Sequence, residues 1–293
     1  MPPIHHDYAQ ANGVRLHYAH AGSGPLIMFL HGFPEFWYCW KQQLEEFGSD
    51  HRAVAPDLRG YNLSDRPPDV KQYRARNLVE DIRQFARHFG DEPFVLVAHD
   101  WGGALAWGLA IAHPELLRKL VIINSPHPVP FARELAHSKA QQEASRYMNL
   151  LRSEKAERVL AEDNFARLQK MTLDAWSETH PAAADRDAYL AAWSQPGALT
   201  GSLNYYRASP LYPPDGDDPG AAALQLDPAA FMVRVPTMVV WGMRDQALLP
   251  GVLDGMEACV PGVRIERLDD ASHWVMHEQP ARLNALIRDF IGR

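Results

Sequence analysis

The sequence predicts an α/β protein built on a mostly parallel, doubly wound sheet that is interrupted by a helical insertion. Three observations lead there. Continuous apolar runs alternate with segments of helical length and composition, the pattern of a parallel sheet covered on both faces. Between about 125 and 233 no strand pattern is found, and that stretch is helix-rich and charged. A Gly-rich turn at Ala98-His99-Asp100-Trp101-Gly102-Gly103 joins one apolar run directly to a helical segment.

The elements follow in order. "VRLHYAHAG" (14–22) alternates and reads as an early strand, and "PLIMFLHG" (25–32) is a buried-type strand ended by glycine. "HRAVAPDLRG" gives a short strand ending near Pro56. "PFVLVAH" and "LRKLVIINS" are two further buried strands, with the helix "WGGALAWGLAIAHPE" between them. In the insertion, "RELAHSKAQQEASRYMNLLRSEKAERVLAEDNFARLQKM", "PAAADRDAYLAAW" and "GALTGSLNYYRAS" read as helical, and "YPPDGDDPG" as a turn-rich connector. "VPTMVVWG" and "VRIERLDD" resume the strand pattern, and "ARLNALIRDFIG" closes as an amphipathic helix. The expected division is a core of 1–124 and 234–293 around a helical cap of 125–233. The competing arrangement puts those helices in the core layers; it is weaker because they sit between two strand predictions.

Composition narrows the function. A chain of 293 residues suits one large domain or a domain with a sizeable insertion. Apolar content of 46% and charged content of 22% fit a globular enzyme rather than a disordered chain. The net charge of −7, without a long Lys/Arg run, argues against nucleic acid or an anionic membrane as partner. The opening "MPPIHHDYAQANG" lacks the basic and apolar regions of a signal peptide, and no run of about 18 apolar residues could span a bilayer. Cys39 and Cys259 read as reduced thiols of a cytoplasmic protein. A second copy of the chain, as a homodimer, is the one protein partner left open.

The chemistry centres on Asp100. Small residues two before and two after it are what a strained strand-to-helix elbow needs, because large neighbours would clash. Such an elbow lifts its side chain out of the sheet at the carboxyl ends of the strands, and the helix N-terminus favours an anion there. A simple helix cap is the bland reading of the same aspartate. Other residues weigh against it. "HGFPEFWYCW" follows a strand, and in folds of this kind the N–H of Phe33 joins that of Trp101 as an oxyanion hole. Asp245 lies just beyond a late strand, and His273 lies in the loop after the last one. The chain order Asp100, Asp245, His273 is nucleophile, acid, histidine.

These motifs resemble the α/β-hydrolase fold superfamily, and within it the epoxide hydrolases; "HGFPEFWYCW", "PDLRGYNLSDRP", "AHDWGGALAW", "NSPHPVPF" and "GSLNYYRAS" carry the resemblance over nearly the whole chain. The chemistry is consistent with it. A carboxylate nucleophile suits a saturated carbon bearing a leaving group, such as an epoxide or an alkyl halide, and gives an alkyl ester. His273, oriented by Asp245, then activates the water that hydrolyses the ester, with no cofactor and no metal. An epoxide oxygen leaves as a basic alkoxide and needs a proton donor such as tyrosine. Leu199, Leu203 and Tyr206 share one helical face, and Tyr206 matches the ring-opening tyrosine of the family's motif. Tyr147 resembles the family's second tyrosine, and Tyr205 competes with Tyr206 if the helix register is displaced by one.

The resemblance therefore implies an epoxide hydrolase that converts an apolar or aryl epoxide to a vicinal diol, with Phe33, Trp37, Trp101, Met148 and Trp193 as pocket walls. Haloalkane and haloacid dehalogenases use the same aspartate and are the alternative. Haloalkane dehalogenases typically carry Asn where this chain has Phe33, and fluoroacetate dehalogenases usually carry Arg where it has Trp101. A non-catalytic ligand receptor on the same fold is a further alternative, which the complete set Asp100, Asp245 and His273 disfavours. His99 and His127 read as structural. His273 and His277 lack the HExxH context of a metal site. Asn124, after "LVII", is not an acid, which leaves Asp245 as the partner of His273; Asp269 and Asp270 are its competitors.

Overall fold

The computed structural model describes residues 2–175 and 183–292. Among these, eight strands form one sheet: β1 (His5–Ala11), β2 (Val14–Ala21), β3 (Leu26–Leu30), β4 (Arg52–Pro56), β5 (Phe94–His99), β6 (Leu117–Ile123), β7 (Thr237–Gly242) and β8 (Arg264–Leu268). Their order across the sheet is β1-β2-β4-β3-β5-β6-β7-β8. The pairs β1–β2 and β2–β4 are antiparallel, and every pair from β4 to β8 is parallel. The edge strand β1 lies upstream of the first strand the sequence suggested. Its signal is the dipeptide Asn12-Gly13, both with left-handed φ (49° and 76°), which closes a two-residue hairpin onto β2.

The central strands are apolar throughout because both faces are covered. Ile27, Phe29, Val95, Val97, Val121 and Ile123 pack with Trp40, Leu44 and Phe47 of one layer and Leu283, Ile287 and Ile291 of the closing helix. Met28, Leu30, Leu96, Ala98, Leu120 and Ile122 point the other way, onto Leu78, Ile82 and Phe85 and onto Leu105 and Leu109. The first layer is α1 (Lys41–Phe47), and the opposite one is α2 (Ala75–Arg87) with α3 (Asp100–Ala112).

Between β6 and β7 the chain leaves the sheet. It forms α4 (Pro128–His137), α5 (Lys139–Ala144), α6 (Tyr147–Arg152), α7 (Ala156–Met171), α8 (Ala183–Trp193) and α9 (Ala198–Ala208) before returning. The two residues Pro181 and Ala182, which begin the predicted helix 181–193, lie outside the described residues. Ser138 ends α4 and caps α5, its hydroxyl accepting the N–H of Gln141 at 3.3 Å. The backbone leaves helical geometry inside α7 at Glu162–Phe165. In the core, α10 (Val275–Glu278) and α11 (Pro280–Ile291) follow β8.

Candidate active site

The strand order reverses around β3, whose neighbours are β4 and β5. The carboxyl ends of β3 and β5 therefore open a crevice, the usual place for a ligand in such sheets. β5 runs into α3 with no loop, and Asp100, at the joint, has φ of 48°. A non-glycine residue there costs roughly 1–3 kcal/mol unless its surroundings enforce it. They do so by close packing. A Cβ at Gly102 would lie 2.4 Å from the His31 carbonyl oxygen, and one at Gly103 would lie 2.3 Å from Ser125 Cβ. A Cβ at Gly32 would lie 2.2 Å from Asp100 Oδ1. Ser125 Oγ donates to the Asp100 carbonyl at 2.7 Å and fixes the joint from behind.

The loop after β3 completes an anion site. The N–H of Phe33 donates to Asp100 Oδ1 at 2.7 Å, and the amide of Trp101 also bonds this carboxylate. His31 shapes the bend: it is fully buried, its Nε2 accepts the N–H of Leu58 at 3.0 Å, and its Nδ1 meets the Gly32 carbonyl at 3.0 Å. His273 Nε2 lies 3.8 Å from Asp100 Oδ2, and His273 Nδ1 lies 2.7 Å from Asp245 Oδ2. Asp245 Oδ1 accepts the amides of Ala247 and Leu248 at 2.8 and 2.9 Å. Asn124 Nδ2 donates to Asp245 Oδ2 at 2.8 Å, while its own oxygen accepts the N–H of Gly242. His99 Nε2 lies 3.0 Å from the His273 carbonyl, and the two rings are 4.5 Å apart. Sequence reasoning used Asn124 only to exclude a second acid and passed over Ser125 and His31; side-chain bonds between distant segments leave no local pattern.

Electrostatics link the groups. Burial pushes Asp100 up; the His273 charge and the two amides oppose this without cancelling it. Burial alone would lower His273, but the carboxylates of Asp245 and Asp100 outweigh it and hold the imidazolium up to about 9. Asp245 is buried, yet His273 and its donors bring it below the ordinary carboxylate range. His273 thus rests as an imidazolium facing the Asp100 carboxyl group.

Aromatic rings roof the carboxylate. Tyr206 stands edge-on to Trp101 at 5.1 Å and to Phe33 at 5.2 Å, and Tyr147 faces Tyr206 at 6.3 Å. Burial raises both phenols well above their ordinary range, with the Asp100 charge adding to it. Tyr205 is turned elsewhere: its hydroxyl donates to the Arg59 carbonyl at 2.9 Å. Met148 is buried beside Tyr147. Trp193 donates to the Pro34 carbonyl at 2.6 Å and lines a small cavity with Pro34, Phe36, Tyr61 and Leu199, between α8 and α9 on one side and the loops after β3 and β4 on the other. Asp100 does not line that cavity, but Tyr61 does; burial raises this phenol, and the Asp100 charge adds to it. Trp37 has ring neighbours of a different kind, namely His6, Phe36 and Tyr38.

The remaining candidates are occupied. Asp270 is exposed and pairs with Arg282, and the Asp269 carbonyl accepts from Arg244. His277 pairs with the buried Glu35 at 2.8 Å, and Glu35 also accepts from Tyr189 of α8. His127 starts α4 and bonds the Phe231 carbonyl. Among the described residues no group of three His, Cys, Asp or Glu side chains could hold a metal ion.

Comparison with known proteins agrees with this architecture. The family described as the alpha/beta hydrolase fold matches residues 25–280. An AB hydrolase superfamily protein of Bacillus subtilis, YfhM, is 37% identical over 99% of both chains. Epoxide hydrolase 3 of Xenopus tropicalis is 35% identical over 96% of this chain and 75% of that protein. A variant epoxide hydrolase from Bacillus megaterium, solved with its product (R)-3-[1]naphthyloxy-propane-1,2-diol, superposes with a TM-score of 0.90 at 36% identity, over 98% of this chain and all of that one.

Proposed function

The chain belongs to the alpha/beta hydrolase fold family, and we propose that it is an epoxide hydrolase that turns an apolar or aryl epoxide into a vicinal diol through an alkyl ester on Asp100. The observation that carries this reading is a carboxylate on the elbow, gripped by backbone amides and faced by the buried Tyr206 and the partly buried Tyr147. Relatives over nearly the full length are epoxide hydrolases, and one holds an aryloxy diol as product.

The steps follow from the geometry. Oδ1 is held by the Phe33 amide, so Oδ2 is the oxygen that attacks a ring carbon. The ring C–O bond breaks, and its oxygen takes a proton from Tyr206 or Tyr147. Burial keeps both phenols weakly acidic at rest, and the negative charge on Asp100 adds to it. As that charge moves onto the epoxide oxygen its share of the restraint is relieved, so the donors strengthen where the transition state needs them.

Esterification also removes the Asp100 charge, one of those that support the His273 imidazolium. Its proton passes through solvent to the tyrosinate and leaves a neutral imidazole. That imidazole takes a proton from water, which attacks the ester carbonyl carbon. The resulting oxyanion forms on Oδ1, already bonded to the Phe33 amide, with the Trp101 amide as the second donor to this group. Collapse releases the diol, protonated by His273, and leaves Asp100 as a carboxylic acid, whose proton passes to His273 and so restores the carboxylate and the imidazolium. Substrate and water are the small-molecule partners. Cys39 and Cys259 are free thiols, which supports a reducing, cytoplasmic setting.

The test is the intact mass of His273→Gln after incubation with styrene oxide. The expected result is a gain equal to the epoxide, mapping to the peptide that contains Asp100. An adduct from a 1-haloalkane but none from the epoxide would make the protein a dehalogenase. No adduct from either, with ligand still raising Tm, would make it a receptor.

A further inference from the structure

Gln141 of α5 is a polar side chain with no exposed surface, about a hundred residues before Asp245 in sequence. Its amide is fully used. Nε2 donates to the Ala247 carbonyl and to Ser145 Oγ, both at 2.7 Å, and Oε1 accepts the N–H of Leu249 at 2.9 Å. The reverse orientation would turn an NH2 group toward the Leu249 N–H, so the bonds themselves fix the amide.

The segment it holds carries the acid's donors. The inward-facing amides of Ala247 and Leu248 bond Asp245 Oδ1, while the Ala247 carbonyl and the Leu249 N–H bond Gln141. One turn of backbone is thus clamped between the triad carboxylate on one side and a cap glutamine on the other. That loop has no ladder bonds of its own, because β7 ends at Gly242. The third bond ties the same amide to Ser145, two residues before Tyr147.

We infer that Gln141 is a positioning residue through which the docked cap holds the Asp245–His273 pair in register for ester hydrolysis. The inference rests on the two-step reading above. It assigns Gln141 to the second step, since its loop bonds go to the turn that donates to Asp245, whereas the Asp100 carboxylate is held by the Phe33 and Trp101 amides. Asp245 orients His273 through one 2.7 Å bond, so a small displacement of its loop misaims the base.

The experiment compares formation and breakdown of the alkyl-enzyme in single-turnover and rapid-quench runs with styrene oxide, using Gln141→Met. Ester breakdown is expected to slow about ten-fold or more, with formation unchanged. In steady state, kcat and KM fall together and kcat/KM is preserved. If Gln141→Met does not fold, Gln141→Asn keeps the amide but is one methylene too short to span the loop. Ser145→Ala spares the loop clamp and leaves the ratio of the two rates as in the parent. A lowered Tm with that ratio unchanged in the Gln141 variants would mean a structural role and overturn the inference. So would equal slowing of both steps, or Ser145→Ala reproducing the effect. His273→Gln runs alongside: if it too accumulates no ester, the two-step reading itself fails.

Discussion

At the scale of single residues, the site turns on which side chains can hold or release a proton beside one carboxylate. Tyr206 and Tyr147 both sense Asp100, whereas Tyr205 spends its hydroxyl on the Arg59 carbonyl. Tyr206→Phe and Tyr147→Phe are each expected to slow ester formation about ten-fold or more, and the double variant by ~10²–10⁴, the range of general-acid catalysis. Tyr205→Phe is expected to keep turnover and lose about 1 kcal/mol of stability with its buried bond. Stopped-flow single turnovers and thermal melts separate these outcomes; full epoxide turnover in the double variant would remove both tyrosines from the mechanism. The choice between Tyr205 and Tyr206 was not legible with certainty in "LNYYRAS", because a shift of one residue turns a helix by about 100° and the register depends on where the helix begins. Asp245 had competitors in Asp269 and Asp270 for a related reason: several carboxylates lie near the histidine in sequence, and only folding decides which one is buried beside it.

At the scale of elements, the position of Tyr206 depends on how α9 docks. Gly201 of α9 and Gly60 of the core meet backbone to backbone, where a Cβ at Gly201 would lie 2.4 Å from the Gly60 oxygen. No flexible side chain is there to give way. Gly201→Ala is therefore expected to lift α9 from the core, cost about 1–3 kcal/mol as overpacking does, and reduce ester formation through Tyr206. Melting curves and single-turnover rates measure both; a variant with parent stability and rate would mean that the helix docks elsewhere. The core strands were legible because both-face burial writes a continuous apolar run. β1 was not, since five of its seven residues are exposed and only Asn12-Gly13 marks it. The breaks that divide the charged stretch after Pro128 into α4, α5, α6 and α7 depend on serine caps and local turns, which a compositional reading merges.

At the scale of the whole molecule, the site couples stability to pH. Burial lowers His273, the carboxylates more than restore it, and the folded value of about 9 exceeds the free value of 6.5. Between these values the folded chain binds a proton that the unfolded chain releases. The stabilisation is complete below about pH 6.5 and is lost as pH rises through about 9. Tm of the parent is expected to decline across that window, and His273→Gln to show a shallower decline in a thermal-shift series. Equal slopes would assign the loss to another group.

By itself the sequence determined the fold class, the carboxylate in place of a hydroxyl at the elbow, and the chain order of Asp100, Asp245 and His273. Each of these is written locally, in apolar runs, in small residues flanking a strained turn, or in motifs a few residues long. Only the tertiary structure decided the distances of 3.8 and 2.7 Å that make three separate residues one site, the turning of Tyr206 rather than Tyr205 toward it, and the clamp of Gln141 on the acid's loop. These depend on contacts across tens to hundreds of residues. Burial, which turns a modest charge pair into a strong one, is a property of the assembled layers rather than of any segment.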